Sequence, residues 1–244
     1  MMGRTHATSG AVIWLAGSAL LTAAGAEPGL GAVIVGAAVT AGAALLPDLD
    51  HQSSTVAHTA GPVSQLACRL VARGCARAHA ATRTYLDRPD RDGHRTLTHT
   101  AIIGLAAGLL AGLVCWLAGG WGTAVVVYAV VALGVRGGVR RRVRGEWGAI
   151  GIGVLAAAIA GPTIGAAWWL GLAVAVGWLA HLAGDALTNS GCPILWPLKI
   201  CGRRWYPVGS PRVIRMRTGG TAERAVYVVL LLVGAVSTVS LAIT

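Results

Sequence analysis

LGAVIVGAAVTAGAALLPDLDH, residues 30–51, carries no charge for eighteen residues and then places two carboxylates and a histidine within four. An apolar run of that length is what a helix needs to cross the hydrocarbon of a bilayer, about 17–25 residues. Pro47 opposes further helix, so Asp48 and Asp50 fall on a turn at the end of a span, where a buried charge needs a partner.

Outward from this stretch the same alternation repeats. Apolar runs at 9–26, 30–46, 98–118, 121–135, 147–161, 163–183 and 225–243 predict an all-α fold, a polytopic membrane helix bundle of about seven transmembrane helices. Residues 1–244 read as a single domain. Residues 9–26 have the outline of a signal peptide, but a second apolar run follows at once, and an uncleaved helical hairpin is expected. The composition agrees: 55% hydrophobic and 12% charged residues exclude an ordinary soluble domain.

The connections alternate too. Glu27-Pro28-Gly29, Gly119-Gly120 and Gly161-Pro162 are tight turns, whereas segments 47–97, 136–146 and 184–224 are long or basic. Together with Arg4, those three segments hold all 20 Lys and Arg residues on one side of the predicted bundle. The positive-inside rule makes that side cytoplasmic, with the N-terminus inside and the C-terminus outside an inner membrane. The net charge of +11 therefore points to anionic lipid headgroups. No nucleic acid is expected, because no folded basic domain is present to bind it. Five cysteines without a CxxC pair indicate reduced thiols.

Within segment 47–97, residues 63–85 are expected to be helical, with Arg69, Arg73 and Arg77 on one face, either along the membrane surface or as a solvated cover. Gly104, Gly108 and Gly112 form a stripe for close helix packing. Trp14, Trp168, Trp169 and Trp178 are expected to pack or face lipid, and Trp121, Trp147, Trp196 and Trp205 to anchor at the interface.

Four segments bring metal-ligand residue types to the same edge: Thr5-His6, Asp48 to His51, His94 to His99, and His181 to Asp185, whose four-residue spacing shares a helical face. Imidazole with carboxylate suits zinc first, with manganese or iron as alternatives. The candidate ligands His6, Asp48, Asp50, His94, His99, His181 and Asp185 exceed the needs of one catalytic zinc, so two ions are considered. Asp50 is a ligand or general base. Arg95 is either a phosphate clamp or a cytoplasmic anchor. His51 is an outer partner of the ligands, and His58 and His79 are expected at the surface.

Thr5-His6 through Gly10, Leu46 through His51, His94 through His99, His181 through Gly191, Leu195-Trp196-Pro197 and Glu223 together resemble the YdjM-like family of inner-membrane metal-dependent hydrolases, also called LexA-binding, membrane-associated hydrolases. The HxxxD element is more distantly similar to zinc-dependent phospholipase C. The family resemblance implies a membrane hydrolase and the phospholipase C likeness points to phosphodiesters; the leading expectation is hydrolysis of a phosphoester in a membrane lipid or lipid-linked substrate by metal-bound hydroxide at the cytoplasmic interface. Two enzyme-free alternatives stand beside it, a metal-binding scaffold or regulator and, lower, a transporter. A metal-free lipid phosphatase of the phosphatidic acid phosphatase type 2 fold shares HxxxD, but its arginine and lysine motifs are not found.

Overall fold

The computed structural model of the chain describes residues 1–54, 56–138 and 146–243, and among them there is no β-strand, only three isolated bridges. Seven α-helices follow in order: α1 (Gly3–Ala23), α2 (Leu30–Ala43), α3 (Gly61–Thr82), α4 (Ala101–Gly138), α5 (Glu146–Ile164), α6 (Leu170–Ala186) and α7 (Thr221–Ile243). Short 3-10 turns at Leu46–Asp50 and Leu97–His99 end and begin the helices on either side of the long connection. Most of the basic 136–146 loop lies outside the described residues.

The expected helices are present with shifted ends. The expected pair 98–118 and 121–135 is α4, whose regular backbone breaks at Gly119 with φ 56° and ψ −135°, a conformation open to glycine. A Cβ on Gly122 would meet the Val114 carbonyl oxygen at 2.2 Å, although a straight helix separates such residues by about 12 Å. The two arms therefore fold back on each other. Helix α5 runs through Pro162, so its turn falls at Gly165 rather than at Gly161-Pro162. Helix α1 begins at Gly3, which puts His6 inside the helix and not before it.

Among the described residues, four helical stretches are long and apolar enough to cross a membrane: Leu30–Asp50, Ala101–Gly137, Trp147–Ile164 and Thr221–Ile243. Leu170–Ala186 is apolar but shorter. Large apolar side chains such as Leu20, Leu109, Leu117 and Val236 remain exposed on the outside of the bundle, as contact with lipid requires.

Helix α2 sits among α1, α4 and α6 and is built for close approach, with Val39, Thr40, Gly42 and Ala43 buried. A Cβ at Gly42 would lie 1.8 Å from the Val130 carbonyl oxygen, and one at Gly177 of α6 would lie 2.4 Å from that of Thr40. The predicted glycine stripe of α4 does pack: Gly104 against Trp178, Gly108 against Gly171 and Ala175, and Gly112 against Trp168. Small residues at these crossings let backbones touch, which replaces the hydrophobic drive that lipid cannot supply.

The predicted 63–85 helix is α3, and Cys68, Ala72, Cys75 and His79 form its buried stripe. His79 is thus not a surface residue. Its ring packs 5.0 Å from that of Trp205, which is itself buried and stacked on Trp196 instead of anchoring freely at an interface. Burial holds the His79 imidazole below its ordinary pKa. Asp87 accepts backbone N–H bonds from Thr84, Arg204 and Trp205, fastening the end of this segment to the 199–222 region. Burial works to raise the Asp87 pKa, and those hydrogen bonds more than offset it, holding the carboxyl below the usual range.

Gly42→Ala should destabilise the bundle by about 1–3 kcal/mol through overpacking, read as a lowered thermal midpoint in detergent. Gly151→Ala, where an added Cβ meets nothing within 4 Å, should leave the midpoint unchanged or raise it. Equal behaviour of the two variants would refute close approach as the organising feature.

Candidate metal centre

The centre is assembled from the ends of four elements: the first turns of α1, the 3-10 turn after α2, the segment before α4, and the last turns of α6. His6, Asp50, His99, His181 and Asp185 are buried, each at most 2% exposed. They meet as the sequence predicts. Two sets of ligand atoms lie within 4.8 Å of one another, Asp48 with Asp50, His94 and His99, and His6 with His181 and Asp185. The sets adjoin where His99 Nε2 and His181 Nε2 stand 3.3 Å apart.

Hydrogen bonding on the far side of each ring fixes what those two nitrogens present. His181 Nδ1 lies 2.8 Å from the Ala44 carbonyl, which can only accept, so Nδ1 carries the proton. His99 Nδ1 lies 3.2 Å from Asp50 Oδ2, which assigns its proton in the same way. Both Nε2 lone pairs therefore point inward. Burial pulls the His99 imidazole below its ordinary pKa, although the hydrogen bond and charge of Asp50 oppose this.

Two carboxylate oxygens close the same space. Asp48 Oδ1 lies 3.9 Å from His99 Nε2 and 3.7 Å from His181 Nε2, and Asp185 Oδ2 lies 3.6 Å from each. These four atoms lie close together, and the Arg95 guanidinium reaches one of them, Asp185 Oδ2, at 3.0 Å. Tetrahedral zinc with bonds of about 2.0–2.2 Å places its ligand atoms about 3.3–3.6 Å apart, close to these separations. Five of the six separations among Asp48, His99, His181 and Asp185 are thus near those of a tetrahedral site, and these residues, drawn from the two candidate groups, could hold a divalent transition metal.

The remaining candidates surround this set. Asp50 accepts from the Thr98 hydroxyl at 2.6 Å and the Arg95 backbone N–H at 3.0 Å, and His94 Nδ1 lies 2.8 Å away. Its oxygens are fully engaged in orienting neighbours. The Arg95 guanidinium is committed to Asp185 Oδ2 at 3.0 Å and the Thr188 hydroxyl at 3.2 Å. The backbone of Arg95 sits at φ 57°, a costly conformation for a non-glycine residue, and contacts at both its N–H and its side chain hold it there. His6 stacks on His181 with centroids 3.7 Å apart, and its Nε2 is 3.3 Å from Asp185 Oδ1, which also takes the amino group of Met1 at 2.7 Å. Neither ring nitrogen of His6 makes a hydrogen bond. His51 packs edge-on against His94 at 4.5 Å, outside the ligand set as expected. His58 is exposed.

A family model described as YdjM inner membrane protein matches residues 1–243. The chain belongs to the YdjM inner membrane protein family. No curated protein and no solved structure matches it. For this YdjM family member the conjunction of apolar spans and a buried His/Asp cluster at one end of the bundle is therefore a property of the whole chain.

Sequence reasoning did not separate inner ligands from outer ones, and it missed the Ala44 carbonyl, Thr98 and Thr188. The two threonines lie inside quoted motifs, but nothing marks the carbonyl, which has no side-chain signature. Asp50→Asn should lower metal affinity about 10–100-fold by releasing His99, measured by competition with a chromophoric chelator on protein whose helical signal is unchanged. Unaltered affinity would rule out an orienting role for Asp50.

Proposed function

We propose that this protein is a metal-dependent hydrolase that cleaves a phosphoester of a membrane lipid or lipid-linked substrate at the cytoplasmic interface. The observation that carries the metal is the convergence of four electron-rich atoms, two imidazole and two carboxylate, three of them on buried side chains, in a fold with membrane-spanning helices. Zinc suits the set best, with manganese or iron as alternatives. His6 Nε2 and Asp185 Oδ1 are the atoms that would share a second ion.

A bound divalent cation supplies charge stabilisation to a phosphoryl group and makes water more acidic. The chain's own residues do the rest. Asp50 and the Ala44 carbonyl fix the tautomers of His99 and His181, and Arg95, itself held by the Thr188 hydroxyl, braces the Asp185 carboxylate. These contacts favour a positioning role for Asp50 over that of ligand or general base. Arg95 would reach a phosphate only by leaving Asp185. The side chains of Asp48 and His94 are 22% and 31% exposed, so substrate and water would approach along that side.

Orientation follows from charge. The basic residues lie in segments joined to the site-bearing ends, and the positive-inside rule directs that end to the cytoplasm. The burial of His99, His181 and Asp185 also favours a second reading, a closed site in which the metal only braces a membrane scaffold or regulator.

Elemental analysis of the purified protein should find one or two transition-metal ions per chain. His181→Ala and Asp185→Ala should each reduce metal affinity by more than the about 10–100-fold typical of outer partners. Full metal content in both variants would dismantle the centre as drawn. Across a panel of phospholipids the metal-loaded protein should release a phosphorylated or dephosphorylated product, and a chelator should abolish release. Metal bound without turnover on any lipid would select the scaffold.

A further inference from the structure

Beside the centre lies a cavity of about 610 Å³, whose walls include Asp50 and His94. Arg73 and Arg77, one turn apart on α3, and Arg91 from the following loop line it, together with His51 and Asp92. All three arginines are exposed, and none has an ion-pair or hydrogen-bond partner among the described residues. Two like charges at i and i+4 repel, and a third nearby adds to the strain. Asp92 is the one carboxylate in the cavity free to oppose them, because the oxygens of Asp50 are already taken by His94, Arg95, Thr98 and His99.

We propose that this cavity binds a second, non-reacting anionic group on the polar head of the substrate, a phosphate by chemical class, while the scissile phosphoester faces Asp48, His99, His181 and Asp185. The proposal rests on the hydrolase reading above and narrows its substrate to a head bearing two anionic groups. Guanidinium forks match phosphate oxygens in pairs, and a cavity of this volume is in the usual range for a small polar ligand. Placement supports the assignment: α3 packs across the turns that carry Asp50 and His99, so its basic face stands over one side of the centre.

The test uses metal-depleted, full-length protein in zwitterionic detergent, with dioctanoyl phosphatidic acid as probe and dioctanoyl phosphatidylcholine as comparison, followed by calorimetry. The phosphatidic acid should bind and the phosphatidylcholine should not. A double Arg73→Gln, Arg77→Gln variant and a single Arg91→Gln variant should each weaken binding at least about tenfold, with thermal midpoint and metal content unchanged. Removing two charges elsewhere, by Arg212→Gln with Arg217→Gln, should leave affinity intact. Unaltered affinity in the Arg73/Arg77 variant, or an equal loss in the Arg212/Arg217 variant, would overturn the proposal. Competition by inorganic phosphate supports the site and identifies the phosphate alone as sufficient. Binding that resists such competition also supports it and assigns recognition to the lipid-borne group. Because this measurement needs neither metal nor turnover, it can succeed where the hydrolase reading fails. Conversely, metal-dependent hydrolysis with KM unmoved in the arginine variants would retain the hydrolase and discard the subsite.

Discussion

The contact on which the remainder depends is the approach of α2 to α1, α4 and α6 at backbone distance. Gly10, Gly42 and Gly177 have no room for a Cβ, since each would collide with a neighbouring carbonyl. Apolar side chains gain little by meeting each other in lipid, so the fit of small residues has to hold the helices together. That fit also sets where the helix ends arrive. With α6 this close to α2, the carbonyl of Ala44 falls within 2.8 Å of His181, and Gly184 leaves space for the ring of His6 beside it.

Polar groups placed by that packing then organise one another. Trp178 donates from its indole to the Thr98 carbonyl at 2.8 Å, tying α6 to the segment that carries His94, Arg95 and His99. Asp50 gathers the same segment from the other side through four donors. Asp185 accepts from the Met1 amino group and pairs with the Arg95 guanidinium. In an apolar interior each uncompensated charge costs several kcal/mol, so a network this dense is stable only when its members satisfy one another. The inward face shared by His99 and His181 is where the candidate metal-ligand groups adjoin.

Much of this was legible before any coordinates. Apolar runs of bilayer length, separated by glycine turns and basic segments, declare a helical membrane protein, and the four His/Asp segments at matching helix ends declare a shared site. What could not be read depends on partners distant in sequence. His6 looks like part of a polar leader to α1, yet the helix begins earlier because α6 and Asp185 bury it. His79 and Trp205 look like surface groups, and each is buried by the other across a separation of more than a hundred residues. Likewise, the division of labour between Asp48 and Asp50, two residues apart, follows from which way a 3-10 turn directs each carboxylate, a distinction that spacing alone does not encode.

The position of the His/Asp cluster along the bundle argues against passage of a substrate through it. Secondary transporters place their binding groups near the bilayer midplane, on interrupted helices. Here the break in α4 at Gly119 lies at the opposite end of its first arm from His99, and no ligand residue is near it. His6 stands in the first turns of α1, Asp48 just after α2, His99 just before α4 and Asp185 in the last turn of α6. An alternating up-and-down path brings these starts and finishes to one end of the bundle. The cluster is therefore most open on one side, at Asp48 and His94, whose side chains are 22% and 31% exposed while those of His6, His99, His181 and Asp185 are buried.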